Sequence, residues 1–150
     1  MVKLTRTDSK NTDFIALVRR LDAELAERDG SEHAFYAQYN HIEGINQVVV
    51  AYEEDRPVGC GAIKPYTSGI MEVKRMFTLP TQRGKGIAAR ILGELEAWAA
   101  ELGCSRCSLE TGRRQPEAIA LYTRCGYRIV ENYGQYQGVE NSVCFEKDLQ

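Results

Sequence analysis

No stretch of this 150-residue chain approaches the roughly 20 consecutive apolar residues that a membrane-crossing helix needs. The start, Met1-Val2-Lys3-Leu4-Thr5-Arg6, has no apolar core of the signal-peptide kind, so a cytoplasmic location is expected. Positive charge is not in excess. Lys and Arg number 19 against 21 Asp and Glu, a net charge of -2, so no general field exists to hold a nucleic acid or an anionic membrane. Arg113-Arg114 is a short basic turn without interleaved aromatics, which excludes a single-strand nucleic-acid platform. Histidines number only 2, and the lone CxxC, Cys104-Ser105-Arg106-Cys107, has no second CxxC or His pair to complete a metal set. No metal is expected. The 5 cysteines are an odd count in a chain long enough to fold without staples, which points to reduced thiols.

What is there is a globular composition, 43% hydrophobic and 27% charged, at the size of one domain spanning residues 1–150. Val2 to Thr7 alternates like a strand. Asn11-Thr12-Asp13 then offers caps for a helix whose apolar face is Phe14, Ile15, Leu17, Val18, Leu21 and Leu25. Glu32 to Tyr39 is a short helix or a loop. Gln47 to Tyr52 and Val58 to Ile63 are β-prone runs joined by a turn at Glu53 to Pro57, and Ile70 to Leu79 is a further strand ended by Pro80. Ile87, Ile91, Leu92, Leu95, Trp98 and Leu102 form one helical stripe ended by Gly103. Cys107 to Glu110 reads as a strand and Pro116 to Arg124 as a helix. Tyr127 to Val130 and Ser142 to Glu146 are closing strands. Strands interleaved with helices in this order imply a mixed sheet covered on both faces.

One segment carries chemistry. Arg83-Gly84-Lys85-Gly86-Ile87-Ala88 lies between a strand and the long helix, where backbone N–H groups and a helix N-terminus together make an anion site. The glycines admit positive φ and close approach of a ligand, and Arg83 and Lys85 bring opposite charge to a pyrophosphate. Such a turn also serves purely structural ends. The P-loop and the dinucleotide fingerprint both fail on spacing, since only Gly84-x-Gly86 is present, followed by Ala88 and Ala89.

The segment resembles the signature Q/R-x-x-G-x-G/A of the GNAT superfamily of acetyl-CoA-dependent N-acetyltransferases, filled here by Arg83, Gly86 and Ala88. The preceding block from Glu72 to Pro80 is similar to that family's fourth strand. Leu109-Glu110-Thr111-Gly112, Gln115 to Tyr122 and Cys125-Gly126-Tyr127 resemble its fifth strand, following helix and closing turn. The resemblance covers about Ile70 to Val130. It implies an α/β fold with a central, mostly antiparallel sheet, a parallel and splayed pair of fourth and fifth strands, and helices on both faces. It implies acetyl-CoA as acyl donor, with Met76, Phe77 and Thr78 meeting the pantetheine arm through main-chain groups and Arg83, Gly84, Lys85, Gly86, Ile87 and Ala88 holding the pyrophosphate. Gln115 stands where many members carry Asn, seven residues before the tyrosine.

Acetyl transfer from a thioester to an amine needs a neutral nucleophile, an oxyanion donor and a proton for the leaving thiolate. The resemblance makes Tyr122 the general acid and a main-chain N–H, at Met76, the oxyanion donor. Glu72 and Glu110 are the two candidate bases, unless an acceptor already partly neutral needs none, and Lys74 and Arg75 are near enough in sequence to pair with either. The acceptor is expected to be a small primary amine, acetylated directly in a ternary complex. A protein N-terminus or lysine, or a non-catalytic acyl-CoA-binding module, are the alternatives. Acceptor recognition is expected from His33, Phe35, Tyr36, Tyr39 and His41 and from Asn132-Tyr133-Gly134-Gln135-Tyr136. Neither nucleic acid nor membrane is an expected partner, and a homodimer is compatible with family precedent.

Overall fold

The computed structural model describes residues 1–29, 41–42 and 44–149. Seven strands form one sheet in the order β1-β2-β3-β4-β5-β7-β6. They are β1 (Val2–Thr7), β2 (Gln47–Glu53), β3 (Arg56–Thr67), β4 (Ile70–Thr78), β5 (Arg106–Gly112), β6 (Arg128–Val130) and β7 (Ser142–Asp148). Only β4 and β5 are parallel, and every other neighbouring pair is antiparallel. Three helices accompany the sheet among the described residues: α1 (Thr12–Asp29), α2 (Ile87–Glu101) and α3 (Pro116–Arg124). The second short helix weighed for Glu32 to Tyr39 lies outside the described residues.

Period-2 alternation in β2 explains why helices sit on both faces. Val48 and Val50 pack with Phe14, Leu17, Val18 and Leu21 of α1, while Val49 and Ala51 pack with Ile91, Leu92 and Leu95 of α2. Each such fully buried side chain contributes about 1.5–3 kcal/mol relative to exposure. The cap read at Asn11 is present: the Phe14 N–H donates to Asn11 Oδ1 at 2.8 Å. Tyr122 of α3 joins the α2 side of the core beside Tyr127 and Phe145. The β2–β3 turn places Glu54 at φ 51° and Asp55 at φ 65°. Positive φ at both central residues is the requirement of a tight hairpin whose twist matches its strands.

Two features of β4 prepare the site. Its pairing with β5 is confined to Ile70–Arg106, Met71–Cys107 and Glu72–Ser108, so from Val73 onward the two parallel strands diverge. On the other edge, Cys60 faces Phe77 and Ala62 faces Lys74, which leaves Gly61 opposite both Arg75 and Met76. This is a β-bulge, and Arg75 takes φ 57° to make it. Nothing in the composition of the strand announces the bulge. Gly61 is its complement, because a Cβ there would lie 2.4 Å from Met76 Sδ and 3.0 Å from Ile91 and Leu95 side-chain atoms.

Candidate active site

The divergence of β4 and β5 opens a groove of about 660 Å³ toward the start of α2. Met76, Phe77 and Thr78 form one wall, Arg83, Gly84 and Gly86 to Ala89 the end, and Gln115, Ala118, Leu121, Tyr122 and Cys125 the other wall. Gly84 and Gly86 have φ of 81° and 79°, and neither position has an atom within 4 Å of where a Cβ would stand. Backbone conformation is therefore what makes these positions glycine. Gly86 caps α2 with no side-chain hydrogen bond, so the first-turn N–H groups of the helix are left for a ligand.

The two basic residues of this loop are engaged within the protein. Arg83 donates through Nε to the Thr78 carbonyl at 2.9 Å, pairs with Glu24 of α1 at 3.0 Å, and lies 5.6 Å over the Phe77 ring. Lys85 donates to Gln82 Oε1 at 3.0 Å. Arg83 thus ties the loop to β4 and α1, a role that the signature alone did not reveal. An anion arriving at this loop would meet its main-chain donors first.

A smaller cavity continues from the groove beneath the sheet's α1 face. Glu72, Lys74, Arg75, Glu110, Thr111 and Tyr136 line it, and it shares Leu21, Met76, Gln115, Ala118 and Tyr122 with the groove. Residues far apart in sequence thus meet at one junction. Tyr122 is only 7% exposed, and burial raises its phenol well above the ordinary tyrosine range, so it stays protonated at neutral pH.

Both glutamates reach the inner cavity. Glu72 is buried, accepts the Tyr133 hydroxyl at 2.8 Å through Oε2 and pairs with Lys74 at 3.6 Å through Oε1. Glu110 accepts the Ser142 hydroxyl at 2.7 Å. The expected pairing of Lys74 with a glutamate is seen. Arg75 instead pairs with Asp22 of α1. Lys74 itself is a wall of the cavity, which sequence reasoning treated only as a partner for carboxylates. Alternation with Glu72 on the same face was the available signal.

Of the β6–β7 segment, Tyr136 lines the inner cavity. Tyr133 packs tilted against Tyr66 at 4.9 Å and meets Tyr136 edge-on at 5.8 Å, while Asn132 closes the segment by donating to the Val139 carbonyl at 2.9 Å. His41 is exposed; His33, Phe35, Tyr36 and Tyr39 lie outside the described residues. All 5 cysteines are free thiols, and no group of His, Cys, Asp or Glu among the described residues can hold a metal ion.

This arrangement agrees with what the chain resembles. The Acetyltransferase (GNAT) family pattern matches residues 14–127. An IAA acetyltransferase from Azospirillum brasilense is 33% identical, with 99% of this chain and 98% of that protein covered. A crystal structure of a proposed acyl-CoA N-acyltransferase from Klebsiella pneumoniae superposes with a TM-score of 0.84 at 32% identity, covering 100% of this chain and 99% of its own. A Thermoplasma acidophilum N-acetyltransferase crystallised with coenzyme A shares the fold, with a TM-score of 0.70 over 99% of each chain at 15% identity. With a family pattern running from α1 through α3 and a splayed β4/β5 pair opening onto a glycine-capped helix, the chain belongs to the GNAT family of acetyl-CoA-dependent N-acetyltransferases.

Proposed function

We propose that this enzyme transfers the acetyl group directly from acetyl-CoA to a primary amine of a small molecule, both substrates being bound at once. The observation that carries this reading is the pair of cavities joined at Met76, Gln115, Ala118 and Tyr122, which gives donor and acceptor separate entries to one junction. The coenzyme pyrophosphate rests on the N–H groups from Gly84 to Ala88, with Lys85 at the rim. The pantetheine arm runs along the edge of Met76, Phe77 and Thr78 that β5 leaves bare, with Gln115 facing it.

The amine nitrogen attacks the thioester carbon, and the carbonyl oxygen becomes an oxyanion received by the Met76 N–H. Collapse breaks the C–S bond, and Tyr122 gives its proton to the departing sulfur. The ammonium proton of the acceptor passes to Glu110, directly or through water. Glu72 is the less suitable base because it is buried, accepts the Tyr133 hydroxyl and faces Lys74 across 3.6 Å. The small inner cavity, about 130 Å³ against about 660 Å³ for the groove, favours a small acceptor over a protein lysine or N-terminus.

Calorimetric titration with acetyl-CoA, beside an Arg83→Ala, Gly86→Asp double variant, tests the donor site. Binding by the wild type that the variant loses is expected. No binding by the wild type overturns the assignment, and binding without transfer to any amine favours a sensor module.

A further inference from the structure

A cavity built only to receive an amine would present carboxylates and nothing of the opposite sign. The inner cavity presents both signs. Lys74 lines it with a side chain 8% exposed, and its ion pair to Glu72, at 3.6 Å, is longer than a hydrogen bond. Arg75 also lines it, its side chain 2% exposed, with one nitrogen committed to Asp22 and a buried Nε that has no partner among the described residues. A loosely paired ammonium and a buried guanidinium with an orphan donor in one lining are costly unless something supplies acceptors. Nothing in the transfer chemistry itself calls for either cation.

We propose that the acceptor carries a carboxylate next to its amine, received by the Lys74 ammonium in the cavity that Arg75 also lines, so that the substrate class is a small amino acid. The proposal rests on the acetyl-transfer reading for the fate of the amine, and on Lys74 for the carboxylate. Sequence spacing fits the chemistry. Glu72 and Lys74 are next neighbours on one face of β4, as ammonium and carboxylate are next neighbours on an α-amino acid. A zwitterion inserted there meets each charge with its opposite. A monoamine or diamine lacks the matching anion and sets its own cation against Lys74. Burial, the largest influence on Lys74, lowers its pKa, with Lys64 acting the same way and Glu72 and Glu110 opposing. An arriving carboxylate reverses that imbalance.

The test compares L-leucine and L-phenylalanine with isopentylamine and phenethylamine, their decarboxylated counterparts. Each is titrated into the protein–coenzyme A complex and assayed for kcat/KM with acetyl-CoA. The amino acids are expected to be favoured by about tenfold or more, the worth of one charge-assisted hydrogen bond. In Lys74→Met that ratio should fall to near unity while acetyl-CoA still binds, and Lys74→Gln serves in its place if the apolar variant does not fold. Equal or better handling of the decarboxylated amines by the wild type overturns the proposal, as does a ratio unmoved in a folded Lys74 variant. Amino acids that bind, depend on Lys74 and yet are not acetylated uphold the carboxylate site and overturn the transfer reading.

Discussion

Tyr122 is held by the rings of Tyr127 and Phe145, with centroids at 5.9 and 5.8 Å, so Tyr122→Phe removes a hydroxyl without removing the packing. If that hydroxyl protonates the leaving sulfur, kcat falls by about 100-fold or more, while acetyl-CoA affinity measured by calorimetry stays near wild type. Because burial raises the phenol's pKa, Tyr122 remains the protonated form past the ordinary tyrosine value of about 10. The deficit of the phenylalanine variant is therefore expected to be constant from about pH 7 to about pH 10; a deficit that vanishes toward the alkaline end refutes the assignment. The thiols give a second test at this scale. Cys60 and Cys107 are buried, and burial pushes both up to about 12, so native protein at mildly alkaline pH should leave them unalkylated. Cys125 is half-buried on the groove wall. Peptide mapping after iodoacetamide should show Cys125 labelled without coenzyme and protected with it, while labelling of the half-buried Cys104, outside the groove, does not change.

Among the elements, β4 and the loop before α2 are the proposed seat of the coenzyme. Gly86→Ala adds no clash, since nothing lies near the new Cβ, but it holds an L-residue at φ 79°. That conformation costs about 1–2 kcal/mol, so the loop shifts and acetyl-CoA binding weakens by about tenfold. Gly61→Ala fails for the opposite reason, an intruding Cβ against Met76, Ile91 and Leu95. Overpacking of this kind costs about 1–3 kcal/mol, read as a lower denaturation midpoint, and it displaces the wall that the pantetheine arm follows. These elements were unequally legible. The glycine loop, α2 and α3 stood out because helix stripes, caps and turn residues are local signals. The α3 bounds at Pro116 and Arg124 were read directly, whereas β3 extends to Thr67, four residues past the expected Ile63. Its far end is apolar-poor and is a strand only because Lys64, Pro65 and Thr67 pair with β4. The bulge at Arg75 had no local sign, since a non-glycine residue at positive φ is set by the strand opposite it.

For the molecule as a whole, the helix-covered sheet opens where its parallel strands part, and ligand binding there should be felt globally. Acetyl-CoA at about 100 times its Kd stabilises the folded state by about 2.7 kcal/mol. For a chain of this size that is a rise in Tm of about 5–10 °C, measurable by scanning fluorimetry. The Arg83→Ala, Gly86→Asp variant should show no such rise, and a rise equal to the wild type's would remove the pyrophosphate site from that loop.

By itself the sequence determined the order and kind of the elements, the free thiols and the glycine turn before α2, because hydrophobic period, capping and glycine placement act over a few residues. It also singled out Tyr122, Glu72 and Glu110 as candidates through the resemblance of ordered blocks, and the structure brings all three to the lining of one cavity. Only the tertiary structure decided that β7 enters between β5 and β6, that Arg83 is committed to Thr78 and Glu24, and that Lys74 and Arg75 share a cavity with both glutamates. Those facts depend on strand register and on which chain segments lie opposite one another. Such contacts join residues tens of positions apart, and no local pattern encodes them.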